Sequence, residues 1–319
     1  MAAAAVLVAA ALLLSGCSSP SASSSTVTTT GPKTAAGASP RQAPMTPPVV
    51  PAKGAYLGAW LNPDATPGDA SFSGELAALP TVEAALGRPP GILHVYVKWE
   101  DRAPLSDLKA IASAGAIPML DWGCAPDGAA VGTGADDALI TAFATALRSY
   151  AGPVLLRWCW EMNLVRSHPE VGGPSGFTDA WVHIRSIFTQ LHVTNVSFVW
   201  SPALTGADPT GYFPGIDEVD WIAVDGYDRD GSQTFASLFS PFYAQWSGEG
   251  LPMMVAETGA TGPAQRRYLA SIGTGLPSMP DIKAVVYFDA PGPRAVWSLT
   301  PAGLRAFGRL AHDRYFARP

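Results

Sequence analysis

Short apolar segments alternate with amphipathic segments from Gly54 to the end of the chain. Eight apolar segments have the length and the β-branched or aromatic content of buried strands. The predicted strands are Tyr56–Trp60, Ile92–Val97, Ile117–Trp122, Val154–Cys159, Val196–Trp200, Trp221–Val224, Met253–Ala256 and Ala284–Phe288. Strands that alternate with helices indicate a parallel sheet.

Apolar stripes of helical period fall between most of the strands. The predicted helices are Leu105–Ala114, Asp137–Tyr150, Thr178–Leu191 and a last helix that begins at Pro301 after the cap residue Thr300. Eight such units in residues 54–319 fit a (β/α)8 barrel, which needs about 250 residues. The alternative, an open doubly wound sheet, is disfavoured because no Gly-rich phosphate loop follows the first strand. We predict a (β/α)8 TIM barrel.

The fourth and seventh predicted strands each run into a glutamate, Glu161 and Glu257. The alternation of side chains along a strand places Arg157 on the same face as Glu161, and Val255 on the same face as Glu257. Burying a charge alone is costly. We therefore expect both strands to end in one polar cavity, where the two carboxylates face each other.

Other polar and aromatic residues also lie at or just after the ends of strands, where the active sites of barrels lie. They include Trp99, Asp121, Trp200, Asp225 and Tyr227. No nucleophile elbow supports serine chemistry. What remains is carboxylate chemistry on a neutral, hydroxyl-rich substrate, which is the chemistry of glycoside hydrolysis.

The composition of the chain indicates which classes of ligand the protein binds. The net charge is −6 without a basic cluster, which argues against nucleic acid. Ten Trp and nine Tyr residues offer faces for sugar rings. The five histidines show no metal-ligand spacing, and His94, in a predicted strand, is expected to pack in the core. We expect no metal and no cofactor.

The N-terminal region resembles an export signal. Residues Ala2–Leu14 form an apolar run that is too short to span a bilayer and fits a signal peptide. Leu14-Ser15-Gly16-Cys17 follows and resembles a bacterial lipobox, which implies lipidation of Cys17; an ordinary secretory signal is the alternative. Residues 18–53, rich in Ser, Thr, Pro and Ala, predict a disordered tether. We thus divide the chain into 1–17, 18–53 and a barrel domain, 54–319.

Several motifs, in this order, resemble those of glycoside hydrolase family 26, the β-mannanase family. They are Leu155-Leu156-Arg157, Glu161-Met162-Asn163, Val199–Pro202, Val219–Tyr227 and Val255–Gly259. The resemblance runs from about Gly54 to the C-terminus. It implies a barrel with two catalytic glutamates after strands 4 and 7.

The resemblance also implies roles for individual residues in a retaining mechanism. Glu161 matches the acid/base and Glu257 the nucleophile. At the 5–5.5 Å spacing of retaining enzymes, the ionised nucleophile should raise the pKa of Glu161. Arg157 is expected to hold Glu257 ionised and oriented, and Tyr227 matches a tyrosine that hydrogen-bonds the nucleophile.

The chain departs from the family pattern beside the acid/base. Trp160 stands where the family usually has His, and Leu164-Val165 where it tends to have Gly and an aromatic residue. These changes leave the preference open between mannan, mixed-linkage β-glucan and β-1,3-xylan. The candidate sugar-binding residues are Trp160, Asn163, Asp225 and the tryptophans Trp60, Trp99, Trp122, Trp200 and Trp297, for each of which core packing is the alternative.

Cys124 and Cys159 are the only cysteines besides Cys17 and lie near the ends of the adjacent predicted strands 3 and 4. An extracytoplasmic domain permits a disulfide between them. Two buried thiols are the alternative, with Cys159 pointing into the barrel.

We predict a monomeric, lipid-anchored, extracytoplasmic endo-β-1,4-mannanase that acts on a polysaccharide. A β-1,3-1,4-glucanase or a β-1,3-xylanase of the same fold is the first alternative. The others are a lipoprotein that binds glycan without cutting it and an enzyme that remodels an envelope polymer made by the same cell.

Overall fold

The computed structural model describes residues 45–66 and 71–317. The predicted signal peptide, the lipidation site Cys17 and most of the predicted tether lie outside these residues. Among the described residues, no helix combines the length and apolar character needed to cross a membrane.

Eight parallel strands close into a barrel. Neighbours along the chain pair in order, and β8 pairs with β1, which also pairs with β2. The strands are β1 Ala55–Leu61, β2 Ile92–Val97, β3 Ile117–Trp122, β4 Val154–Trp158, β5 Val196–Trp200, β6 Trp221–Asp228, β7 Met253–Ala260 and β8 Ile282–Asp289. A short ninth strand, β9 (Phe316–Ala317), adds to β1 outside the barrel. The predicted TIM barrel is confirmed.

Helices surround the barrel on its outer face. They are α1 Phe72–Leu86, α2 Leu105–Ser113, α3 Gly128–Gly132, α4 Asp137–Tyr150, α5 Gly173–Gln190, α6 Phe235–Trp246, α7 Gln265–Gly275 and α8 Pro301–Ala311. Thr300 caps α8 by accepting a hydrogen bond from the Gly303 N–H, as its position before Pro301 predicts. The stripe predicted for α4 is buried along its length.

Two apolar layers hold these elements together. The inner layer consists of strand side chains that fill the barrel: Tyr56, Ile92, Ile117, Met119, Leu155, Val199, Trp221, Ala223, Met254, Ala256, Ala284 and Val286. The larger outer layer lies between strands and helices. The inner layer fills the barrel below the rim, so the polar side chains nearer the strand ends lie together above it.

Part of the predicted tether belongs to the folded domain. The Thr194 hydroxyl donates to the Met45 carbonyl over 3.2 Å, and the Tyr56 hydroxyl donates to the Val49 carbonyl over 2.8 Å. Pro48 and Pro51 are buried. These contacts lie where β1 and β5 begin, at the end opposite the active-site rim. Residues 45–53, which were assigned to the tether, therefore contact the barrel domain where the structure describes them.

Candidate active site

Glu161 is carried by an irregular turn at the end of β4. The strand stops at Trp158, one residue earlier than predicted, and both Cys159 and Glu161 have left-handed backbones with φ of 48° and 55°. Left-handed φ is uncommon for residues other than Gly and costs about 1–3 kcal/mol. The Glu161 N–H donates to the Ser201 carbonyl over 2.8 Å, which ties the turn to the end of β5.

A disulfide joins Cys159 to Cys124 in the loop after β3. Cys159 packs with the outer apolar layer, so the prediction that it points into the barrel is wrong. The left-handed backbone at Cys159 breaks the strand alternation that the prediction assumed. The bridge links the β3 and β4 loops two residues before Glu161.

Glu257 reaches the cavity through an irregularity in β7. Val224 of β6 pairs with Val255, but the next residue, Asp225, pairs with Glu257, so Ala256 is an extra residue. Val255 belongs to the outer layer, and Ala256 to the inner one. The prediction that Val255 and Glu257 share a face is therefore wrong. The bulge restores the inward direction that Glu257 needs.

Arg157 is fully buried and lies among three carboxylates. Its Nε donates to Asp121 Oδ1 over 2.6 Å, and its Nη1 donates to Asp225 Oδ1 over 2.9 Å. Its Nη2 donates to Glu257 Oε1. Three acidic groups around one guanidinium leave an excess of negative charge in a buried place. Burial raises the pKa of Asp225 well above its ordinary value, against the attraction of Arg157.

Two tyrosine hydroxyls complete the environment of Glu257. Tyr96 donates to Oε1 over 2.9 Å, and Tyr227 donates to Oε2 over 2.5 Å. Burial raises the pKa of both phenols well above the ordinary value, so they remain donors at neutral pH. With Arg157, Glu257 accepts three hydrogen bonds, which fix the orientation of its carboxylate.

His94 is buried, as expected, but it also takes part in this network. Its Nδ1 lies 2.8 Å from Asp121 Oδ2 and 3.2 Å from the Tyr96 hydroxyl. Burial acts to raise the pKa of Asp121, but Arg157 and His94 together hold it below its ordinary value. Asp121 therefore stays ionised and anchors the guanidinium from the side of β3.

Glu161 has a different environment from Glu257. Burial and the neighbouring Glu257 raise the pKa of Glu161 to about 7, although Arg157 and Arg229 oppose the shift. One carboxylate oxygen of Glu161 lies within 4.8 Å of one of Glu257. Retaining glycosidases hold their carboxylates about 5–5.5 Å apart, and inverting enzymes about 6.5–9.5 Å. Two carboxyl groups at this spacing, of which Glu161 has a raised pKa, can act as acid and nucleophile.

Some of these side chains have the spacing of metal ligands. The ligand atoms of His94, Asp121 and Glu257 lie within 4.8 Å of one another, as do those of Glu161, Asp225 and Glu257. Arg157 already provides a positive charge to the carboxylates of both groups.

The structure corrects most of the predicted sugar contacts. Asn163 uses its side chain to brace a loop: it donates to the Ala203 and Ala207 carbonyls and accepts from the Ala203 N–H. Asp225 pairs with Arg157 and is buried, so neither residue presents a free group to a hydroxyl.

All but one of the tryptophans that were predicted to bind sugar are also buried. Those that are buried in the core rather than open to a sugar are Trp60, Trp99, Trp122 and Trp200. Trp297 is also buried at 4% exposure, and Tyr227 stacks on it with ring centres 4.6 Å apart. Trp160 is partly exposed and packs against Tyr96 beside Glu161. Among the tryptophans predicted to bind sugar, it alone keeps a surface toward the cavity.

Sequence reasoning missed Tyr96 and the role of His94, and noted Asp121 only as a rim residue. One signal was present: the alternate positions 94 and 96 of an apolar strand are polar, as position 121 is in the next strand. On an inward face, such positions indicate a polar layer above the core.

Solved structures with this fold include several β-mannanases. A Bacillus subtilis mannanase aligns with a TM-score of 0.61 at 17% identity, over 83% of this chain and 87% of its own. A GH26 β-mannanase from Bacteroides ovatus gives 0.60 at 16% identity, over 84% and 91%. A β-mannanase from a symbiotic protist of the termite Reticulitermes speratus, complexed with gluco-manno-oligosaccharide, gives 0.60 at 15%, over 87% and 96%. At these identities the likeness establishes the barrel fold.

A curated relative, Endoglucanase H from Acetivibrio thermocellus, is 25% identical over 228 residues. The match covers 64% of this chain, and the chain spans about a quarter (24%) of that relative's length. No family model matches the chain.

Proposed function

We propose that this protein is a retaining β-glycanase of glycoside hydrolase family 26, with endo-β-1,4-mannanase activity as the first candidate. The observation that carries the proposal is the pair Glu161 and Glu257, within 4.8 Å of each other but in opposite environments. Glu161 has a raised pKa of about 7, and Glu257 accepts hydrogen bonds from three donors. The β-mannanases that share the fold support the choice of polymer.

The reaction follows from these environments. Glu161 donates its proton to the glycosidic oxygen while the Glu257 carboxylate attacks the anomeric carbon, so the C–O bond to the leaving sugar breaks and a glycosyl ester forms. Glu161, now ionised, takes a proton from a water molecule, which attacks the anomeric carbon and releases Glu257. Arg157, Tyr96 and Tyr227 orient the nucleophile throughout. Two inversions at one carbon give net retention.

A β-glucanase with the same mechanism is the second candidate. It is favoured by the curated relative, which is an endoglucanase. Trp160, which directly precedes Glu161 and is partly exposed, gives this part of the site an aromatic surface where the family usually has His. The two candidates differ in the polymer cleaved and share the catalytic pair.

We further propose that the chain is exported and anchored through a lipid on Cys17. The Leu-Ser-Gly-Cys sequence supports the anchor. The Cys124–Cys159 disulfide supports an oxidising compartment, where such bonds persist. A Cys17→Ala variant should leave the membrane fraction, and one that remained membrane-bound would contradict the lipid anchor.

A reducing-end assay tests the enzymatic proposal. The purified full chain is incubated with galactomannan, glucomannan, mixed-linkage β-glucan and β-1,3-xylan. We expect one polymer to be cleaved, with loss of activity in Glu257→Ala. Glu170→Ala is the matched control, because Glu170 lies in the loop after β4 and pairs with His168. If the folded protein released no reducing ends from any of the four polymers, the proposal would be contradicted. It would also be contradicted if Glu257→Ala were as active as the unmodified protein.

A further inference from the structure

Arg229 lies at the edge of the catalytic cavity, directly after β6. Its guanidinium carbon lies over the Trp297 ring, 5.8 Å from the ring centre. Trp297 stacks on Tyr227, whose hydroxyl donates to Glu257. Arg229 is also close enough to Glu161 for its charge to lower the pKa of that carboxyl. The guanidinium therefore lies on the Trp297 and Tyr227 side of the catalytic pair.

Arg229 forms no ion pair with the part of the chain that the structure describes. Among the residues that the structure describes, no carboxylate lies within 4.0 Å of its guanidinium nitrogens. The acidic neighbours have other contacts: Asp228 accepts from the Gln233 N–H, and Asp230 accepts from the Ser232 N–H and hydroxyl. Arg229 is exposed, so its N–H groups are open to a ligand.

An exposed guanidinium without an ion pair has a preferred ligand. Its planar fork matches a carboxylate, with which it forms two parallel hydrogen bonds. A neutral mannan or glucan offers only hydroxyl groups to this cation. On a chain with a net charge of −6, an anionic polymer is repelled in general, so a local cation is needed to admit it.

We propose that Arg229 binds a carboxylate carried by the substrate, so that the preferred polymer has carboxylated sugar units, such as uronic acids, next to the cleaved bond. This inference rests on the proposed glycanase function and refines its substrate class. Trp297 and Tyr227 hold the Arg229 side chain toward the cavity. The carboxylated unit binds on the β6–β8 side of the site.

A matched pair of polymers tests the inference. One is glucomannan, and the other is the same glucomannan with part of its 6-hydroxymethyl groups oxidised to carboxylates. Retardation in native gels that contain either polymer measures binding without catalysis. We expect the full chain to be retarded more by the oxidised polymer, and Arg229→Gln to lose this difference. Arg148→Gln, which removes an exposed arginine in the last turn of α4, should keep it.

Initial rates on the same two polymers give the second readout. The ratio of kcat/KM on oxidised to neutral polymer should be roughly three- to tenfold lower in Arg229→Gln than in the unmodified protein, the usual range for a partly exposed charged contact. The ratio cancels any effect that Arg229 exerts through Glu161. Arg229→Lys should keep only part of the preference for the oxidised polymer, because lysine lacks the planar guanidinium that forms two parallel hydrogen bonds.

The outcomes separate this inference from the proposed function. If both polymers are cleaved but the ratio and the retardation are unchanged in Arg229→Gln, the carboxylate site is refuted and the glycanase stands. If binding depends on Arg229 but no reducing ends form from either polymer, the carboxylate site stands and hydrolysis is refuted.

Discussion

The guanidinium of Arg157 donates a hydrogen bond to Glu257 although 100 residues separate them along the chain. The barrel brings them together because β4 and β7 end on the same rim. Asp121 and Asp225 accept from other nitrogens of the same guanidinium. Arg157 thus fixes the direction of the proposed nucleophile from below, and the acidic side chains hold Arg157.

Replacing Arg157 by Met should therefore destabilise the protein as well as inactivate it. Three carboxylates would lose their buried partner, and breaking a buried pair from one side typically costs about 3–5 kcal/mol. Chemical denaturation at pH 7 measures the loss. Arg148→Met, on the exposed surface of α4, is the control. A loss no larger than in the control would mean that the buried cluster does not depend on Arg157.

Removing the hydroxyl of Tyr227 or of Tyr96 should slow hydrolysis and leave the fold intact. Each hydroxyl donates to a different oxygen of Glu257. A hydrogen bond to a charged group contributes about 1.5–3 kcal/mol, so we expect kcat/KM to fall roughly 10- to 100-fold in each phenylalanine variant.

Tyr150→Phe is the matched control, because that hydroxyl donates to the Leu108 carbonyl outside the site. Steady-state kinetics on the cleaved polymer give the comparison. Rates of Tyr96→Phe and Tyr227→Phe within twofold of the control would refute the orienting role.

The rate of hydrolysis should decline on the alkaline side with an apparent pKa near 7. Glu161 has a raised pKa of about 7, so it is protonated and able to donate below this pH and ionised above it. Each further pH unit should then lower the rate about tenfold. The charge of Arg229 lowers this pKa, so Arg229→Gln should move the decline to higher pH. A profile that stays flat to pH 9 would exclude Glu161 as the proton donor.

Glycine at position 161 should be more stable than alanine. The φ of 55° at Glu161 is left-handed, which costs a residue with a Cβ about 1–2 kcal/mol and glycine little. We expect Glu161→Gly to unfold at higher denaturant concentration than Glu161→Ala. The opposite order should hold at Glu83, which lies inside α1 and has no left-handed φ. If alanine were more stable than glycine at both positions, the backbone at Glu161 would not be left-handed.

Loss of the disulfide should weaken both stability and catalysis. Its two cysteines are 35 residues apart, and a loop of that size predicts about 3–4 kcal/mol of stabilisation. Because Cys159 lies two residues before Glu161, Cys124→Ser/Cys159→Ser should also lower kcat. Unfolding and rates of the double variant measure the two effects, and alkylation checks the bond. Two thiols that alkylate in the folded, unreduced protein would contradict it.

Periodicity was enough to predict the barrel, because the strands and their order depend on local apolar patterns. The largest differences are at the rim: β6 and β7 each extend four residues beyond their predicted ends. These extensions carry Tyr227 and Glu257, whose polar character hid their strand conformation. The two glutamates were found because a carboxylate after an apolar run needs a reason to be there.

Side-chain directions at the rim were not predictable by the same means. Strict alternation failed at the bulge before Glu257 and at the left-handed turn around Cys159, because each depends on contacts with a neighbouring strand. The exposure of the tryptophans was not predictable either: Trp99 lies just after β2 and Trp200 ends β5, but both are buried. The loops that cover these tryptophans and the hydrogen bonds of Asn163 depend on contacts between distant residues, so no local sequence pattern predicts them.

The roles of Glu161 and Glu257 are tested most directly by the stereochemistry of azide rescue. An activated aryl glycoside of the sugar that is cleaved is incubated with Glu161→Ala or Glu257→Ala in azide. If Glu257 attacks, Glu161→Ala still forms the glycosyl enzyme and should yield the β-glycosyl azide. Glu257→Ala should yield the α-glycosyl azide, because azide then displaces the leaving group in one step. The reverse assignment, or the same anomer from both variants, would contradict the account.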